Sequence, residues 1–187
     1  MNYFIIKLFH FSYIWGMEIP ASAQKILNAE TAALKLDRIA FQILENTFHS
    51  PEIVMIGIKD GGYIIAEKIT EKIRQYYPEK KTVLLSLTID KINPVGQVIE
   101  LIPNTNLEGK TIVLIDDVAN TGKTMFYTFN ELTKYNLEKL ITCVLIDRTH
   151  KKFPIQSDIV GLQMASTFNE HIIVKIENNE IEGAYLF

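Results

Sequence analysis

Residues 112–124 carry the chain's densest chemistry. They read Ile-Val-Leu-Ile-Asp-Asp-Val-Ala-Asn-Thr-Gly-Lys-Thr. Two adjacent carboxylates, Asp116 and Asp117, close an apolar run, and Val118, Ala119, Asn120, Thr121, Gly122, Lys123 and Thr124 lead into a helical pattern. The N-terminus of a helix offers unpaired N–H groups and partial positive charge, which suit a phosphate. Gly122 lets the main chain approach such an anion closely. Thr121 and Thr124 add hydroxyl donors. The carboxylates would repel an anion, but they accept hydrogen bonds from a sugar diol or help hold a divalent cation. Anion donors beside diol acceptors describe a site for a phosphorylated sugar. The plainer reading makes the acids a solvated strand end and Thr121 a helix cap. Four apolar residues immediately before the acids disfavour it, because one acid must then point inward or across the loop. The spacing is not that of the nucleotide P-loop, G-x-x-x-x-G-K-[ST].

The flanking elements have to position these groups. Apolar residues recur at helical spacing over 29–44 (Ala32, Ala33, Leu36, Ile39, Ala40, Ile43, Leu44), with Asn28 as N-cap and Glu30 in the first turn. A second helix follows Gly61 and Gly62, with Ile65, Ile69 and Ile73 four apart, and a third spans 121–135 with Met125, Phe129 and Leu132 inward. Apolar, β-branched runs predict strands at 53–57, 82–89, 111–115, 141–146, 158–162 and 172–176. Residues 177–180 read as a turn between strands. A short segment at 98–101, bracketed by Asn93-Pro94 and Pro103-Asn104, reads as a hairpin or arm. Alternating strands and helices predict an α/β domain with a mainly parallel central sheet flanked by helices. Strands apolar throughout fit burial on both faces. Ligands of such sheets bind beyond the carboxyl ends of the strands, here after Gly57, Ile115 and Ile146.

Composition narrows the class. The chain has 187 residues, 48% hydrophobic and 22% charged, which fits one globular domain and excludes a disordered or collagen-like chain. Nineteen basic against 22 acidic residues, a formal charge of -3, argue against non-specific nucleic-acid coating. The single Cys143 has no partner for an internal disulfide and reads as a small buried residue in a reduced, cytoplasmic compartment. The aromatic-rich run 3–15 is shorter than the roughly 20 residues that cross a bilayer. Ala21-Ser22-Ala23 resembles a signal-peptidase site, but no basic segment precedes the run. The favoured reading takes residues 1–16 as a leader foreign to the fold, with Met17 as the start and 17–187 as a single domain. His49 and His171 read as surface residues, and no pair of histidines has metal-ligand spacing.

Residues 112–124 resemble the phosphoribosyl-diphosphate signature of type I phosphoribosyltransferases: apolar strand, two acids, spacer, Thr-Gly-x-Thr. Residues 54–59, 144–150, 153–155 and 158–161 extend the likeness to the pyrimidine-operon attenuation regulators that double as uracil phosphoribosyltransferases. It covers about 25–174. The resemblance implies that Asp116 and Asp117 hold the ribose hydroxyls and that 118–124 cradle the 5′-phosphate. It assigns Ile58, Lys59, Asp60 and Gly61 to the diphosphate, through a strained peptide. Asp60 is an odd residue to face an anion; Lys59 either compensates or is a solvated lysine. Asp147, Arg148, Ile159 and Val160 would line the base pocket, unless Asp147 and Arg148 form a local ion pair. Hypoxanthine-guanine members carry an acid where this chain has Asn120 and a lysine where it has Asp147, so both departures point away from purines and toward uracil.

The resemblance further implies phosphoribosyl diphosphate as donor, Mg2+ travelling with it, a homo-oligomer such as a dimer, and a flexible arm at 90–107. That arm lacks the family's arginine, which leaves turnover more open than binding. RNA binding is the alternative function. His150, Lys151 and Lys152 match a basic stretch of the regulators, but with no broader basic stripe the preferred reading is a solvated loop.

Overall fold

A computed structural model describes residues 19–91, 99–165 and 170–187. The expected leader 1–16 and the core of the expected arm, 92–98, lie outside the described residues.

Six strands form the main sheet in the order β4-β3-β2-β5-β6-β7. They are β2 (Glu52–Ile58), β3 (Lys81–Thr88), β4 (Glu100–Ile102), β5 (Thr111–Ala119), β6 (Lys139–Arg148) and β7 (Ile159–Met164). All neighbouring pairs are parallel except β3 with β4. Strand side chains alternate between faces, and the core divides accordingly. Ile53 and Met55 join one apolar layer with Val113, Ile115, Cys143 and Leu145, while Val54, Ile56 and Ile58 join the other with Ile112, Leu114 and Val144. The first layer is closed by α1 (Ala29–Asn46) and α2 (Gly61–Tyr76), through Leu36, Ile39, Ile43, Ile65, Ile69 and Ile73. The second is closed by α3 (Lys123–Leu132), through Met125 and Leu132. Coverage of both faces is why these strands read as unbroken apolar runs. Among the described residues no helix is long and apolar enough to cross a membrane.

Local chemistry accounts for the first helix. Asn28 sits in extended conformation and its side chain accepts from the Thr31 N–H at 2.8 Å, the expected cap. Ala33, placed on the buried face by periodicity, is exposed. Two boundaries shift around the acid pair. β5 continues through Asp116 and Asp117 to Ala119, because pairing with β6 persists: Asp116 lies opposite Val144 and Ala119 opposite Asp147. α3 then starts at Lys123 and ends at Leu132, not at 121 and 135.

β1 (Gln24–Asn28), β9 (Glu180–Leu186) and β8 (Ile172–Glu177) form a separate antiparallel sheet in the order β1-β9-β8. The expected turn at its β8–β9 corner places Asn178 and Asn179 at φ 50° and 65°, a region asparagine tolerates. β1 escapes the sequence reading, since its five residues show no clean alternation.

Candidate active site

The chain runs from β2 outward to β3, then crosses back over β2 to β5. The order of strands therefore reverses between β2 and β5, the place where open α/β sheets bind ligands. A cleft of about 1140 Å³ opens there, lined by Asp60 and Gly61 after β2, by the end of β5 and the turn into α3, and by β8 and Tyr185 of the small sheet.

The acid pair lies at its floor. Asp116 is 4% exposed, and its Oδ1 accepts from the Asp117 N–H at 3.0 Å. Lys91 reaches in from beyond β3, with Nζ 3.3 Å from Asp116 Oδ1 and 3.8 Å from Asp117 Oδ1. Burial pushes the Asp116 carboxyl up to about 7 against the pull of the Lys91 ammonium, and the Asp117 carboxylate adds to the rise. Burial alone would lower the Lys91 pKa, but Asp116 and Asp117 outweigh it and hold the ammonium above its ordinary range. Sequence reasoning missed Lys91: its contact with the acids spans 25 residues, and nothing in its neighbours announces it.

The turn after β2 brings α2 against this floor. Asp60 adopts φ 73° and ψ -120°, a left-handed backbone for a residue with a side chain, and offers α2 no side-chain cap. A Cβ at Gly61 would stand 2.6 Å from Asp117 Oδ2, so only glycine lets the helix start this close to the acids. Of the expected diphosphate residues, Asp60 and Gly61 line the cleft; Ile58 is wholly buried and Lys59 is half-buried, its N–H held by the Leu87 carbonyl at 2.7 Å.

All seven residues of the 118–124 turn line the cleft. Gly122 is the N-cap of α3 at φ 76°, and Thr121 Oγ1 accepts from the Lys123 N–H at 3.3 Å. Asn120 Nδ2 donates to the Ile172 carbonyl of β8 at 3.4 Å, tying turn to small sheet, while its Oδ1 is buried with no hydrogen-bond partner among the described residues.

Asp147, Arg148, Ile159 and Val160 are not among the residues lining the cleft. Ile159 is packed in the layer under α1 and Val160 against the opposite one. Asp147 is 4% exposed and pairs with Lys151 at 2.6 Å. The solvated-loop reading of residues 150–152 holds for His150 and Lys152, which are exposed, and fails for Lys151, whose side chain is 9% exposed because it turns back onto Asp147. The wall opposite the acids comes from β8 and Tyr185 of the small sheet, which carry no motif. His171 is exposed, as expected, and stands on the rim. Cys143 is wholly buried, and burial pushes its thiol far up, so it is unreactive.

Fold and cleft together define an α/β protein whose switch-point crevice gathers carboxylates and a helix-capping turn in one place. The phosphoribosyl transferase domain family matches residues 22–177, and the chain belongs to that family. It is 33% identical over 163 residues to a protein named bifunctional protein PyrR from Haemophilus ducreyi, covering 82% of this chain and 89% of the relative. A PyrR of the same description from Enterococcus faecalis is 30% identical over 84% of this chain and 92% of its own length. Among solved structures, a hypoxanthine-guanine phosphoribosyltransferase from Bacillus anthracis superposes with a TM-score of 0.68 at 19% identity, over 89% of this chain and 98% of its own. The hypoxanthine phosphoribosyltransferase of Trypanosoma cruzi gives 0.71 at 15% identity, over 86% and 95%. These two likenesses carry the type I phosphoribosyltransferase fold.

Proposed function

We propose that the protein transfers ribose 5-phosphate from phosphoribosyl diphosphate to a nitrogenous base, with uracil as the preferred acceptor, in the cytoplasm and as a homo-oligomer, residues 17–187 acting as one domain. The observation that supports it most is the convergence of Asp116, Asp117, Gly61 and the 118–124 turn on one crevice. The turn receives the 5′-phosphate on main-chain N–H groups. Asp116 and Asp117 accept the ribose hydroxyls, and the Lys91 ammonium gives way to them. The Asp60–Gly61 peptide at the start of α2 faces the diphosphate. Asn120 Oδ1, buried without a partner among the described residues, is an acceptor for a base N–H and, unlike a carboxylate, cannot take a proton.

Among the described residues no group of three or more His, Cys, Asp or Glu side chains is placed to hold a metal. Asp116 and Asp117 supply two carboxylates, the donor set magnesium takes when substrate phosphates complete its shell, so the residues fit a donor-borne ion. When bound, it would neutralise charge on the departing diphosphate. The chain's own part is to position sugar and base for displacement at ribose C1 and to shield that carbon from water.

A panel of bases tested with phosphoribosyl diphosphate and Mg2+, read by diphosphate release, checks this. Uracil should give signal while hypoxanthine and guanine do not; robust guanine turnover would overturn the acceptor assignment. The relatives' name, bifunctional PyrR, favours a second reading, a nucleotide-sensing regulator of pyrimidine genes that binds RNA. Titration with a pyrimidine leader RNA at two salt concentrations decides it, since phosphate-mediated binding must weaken with salt.

A further inference from the structure

The loop between β6 and β7 is bolted to the phosphate turn. The N–H groups of Lys152 and Phe153 both donate to the Thr121 carbonyl, at 3.1 and 3.0 Å. The Phe153 ring packs on Phe126 and Tyr127 of α3, with centroids 5.3 and 5.9 Å apart. Thr149 holds the near end of the loop to β7 by donating its N–H to the Met164 carbonyl at 3.0 Å. Beneath the loop, Asp147 Oδ1 takes the Lys151 ammonium at 2.6 Å and the Ser157 hydroxyl at 3.2 Å, and all three side chains are nearly inaccessible. Asp147 itself sits in register with Ala119, the last residue of β5 before the turn. The loop also presses on Gly122: a Cβ there would lie 3.3 Å from Ile155 Cβ and 3.5 Å from Lys151 Cδ.

Peptide planarity gives this contact a consequence. In a trans peptide the C=O and the following N–H point in opposite directions. The Thr121 carbonyl is held toward the loop by two donors, so the Gly122 N–H is turned away from the loop, and Gly122 itself lines the cleft. With no Cβ and φ 76°, Gly122 could otherwise rotate this peptide at low cost. An ion pair this sheltered breaks expensively when one partner is lost, which makes it a firm anchor for the loop.

We propose that Lys151, through its buried pair with Asp147, is a positioning residue: it pins the 149–157 loop, which locks the Thr121–Gly122 peptide with the Gly122 N–H aimed at the bound 5′-phosphate. This rests on the sugar-phosphate reading above and moves Asp147 from base contact to support of the anion site. Arginine can keep the pair with Asp147, whereas methionine keeps the stem and loses the charge. The diphosphate turn at Asp60 and Gly61 belongs to another strand end and does not depend on this loop.

The test measures binding of ribose 5-phosphate and of inorganic diphosphate by calorimetry to the wild type, Lys151→Met and Lys151→Arg, with a thermal melt of each. The wild type is expected to bind both; failure to bind ribose 5-phosphate would sink the site reading, and the positioning role with it. In Lys151→Met, ribose 5-phosphate affinity should fall roughly tenfold, the worth of one charge-assisted hydrogen bond. Diphosphate affinity should hold, and Lys151→Arg should recover most of the loss. Amide exchange at Gly122 in the free protein, followed by NMR, gives a readout independent of any ligand. It should quicken in Lys151→Met and return in Lys151→Arg. Undiminished ribose 5-phosphate affinity, or an equal loss for both ligands, in a wild type that binds both, would overturn the positioning role and leave the site reading standing. Should Lys151→Met fail to fold, the double variant Asp147→Asn with Lys151→Met removes both charges together and is expected to show the same selective loss; wild-type affinities there would overturn the proposal.

Discussion

At the scale of single residues, Asp116 joins pH to function in two opposing ways. Its carboxyl is pushed up to about 7, against an ordinary value of 3.8 in the unfolded chain. Between those values the native protein keeps a proton that the unfolded chain has released. The unfolded state then binds fewer protons, so this group's contribution to stability falls as pH rises from about 4 through 7. Donor binding goes the other way, because the ionised carboxylate is the form that accepts both diol hydroxyls. Affinity for ribose 5-phosphate should therefore rise between pH 6 and 8, and Asp116→Asn should flatten the dependence. Lys91→Met should move the rise to higher pH, since the ammonium is what opposes burial and Asp117; an unmoved profile in that variant would contradict the contact. Replacing both acids by asparagine should abolish donor binding, measured calorimetrically, while circular dichroism stays native. The acids and the turn were legible because their types repeat a chemical need at short spacing. Lys91 and Lys151 were not, since each earns its role through a partner that only folding brings near.

At the scale of elements, the site depends on how closely α2 and the turn before α3 approach the ends of β2 and β5. Gly61→Ala would set a methyl 2.6 Å from Asp117 Oδ2 and must displace that carboxylate. Misplacement of a reacting group by about 1 Å can cost on the order of 10²-fold in rate, so turnover should fall by that order with little change in the thermal midpoint. Away from the cleft, α1 is tied to edge strand β7 by Arg38, whose guanidinium donates to the Val160 and Gly161 carbonyls, the latter at 2.7 Å. Arg38→Met should lower stability by about 1 kcal/mol in urea unfolding and leave ligand affinity unchanged. Strands and helices with strong periodicity were readable to within a few residues. β5 ran past its predicted end because strand pairing with β6, not local propensity, decides where a strand stops.

At the scale of the molecule, one sheet buried on both faces carries all the functional turns at one end. The two apolar layers are separate bodies, one under α1 and α2 and the other under α3. Ile69→Ala in the first and Leu132→Ala in the second should each cost about 2–5 kcal/mol of stability. Lying on opposite faces, they should add, which a double-variant denaturation curve would show. The small β1-β9-β8 sheet supplies the far wall of the cleft, and its contribution follows from topology alone.

By itself the sequence determined what depends on neighbours along the chain: the α/β alternation, the Asn28 cap, the acid pair, and the glycine- and threonine-bearing turn that awaits an anion. Tertiary structure alone decided which side chains close the site. It set Lys91 on the acids, turned Lys151 back onto Asp147, withdrew Ile159 into the core, and brought β8 and Tyr185 to the cleft. Periodicity and turn chemistry are local and leave a trace in consecutive residues, whereas a charge pair or a cleft wall is a matter of distance in space, fixed only when the sheet and its helices have packed.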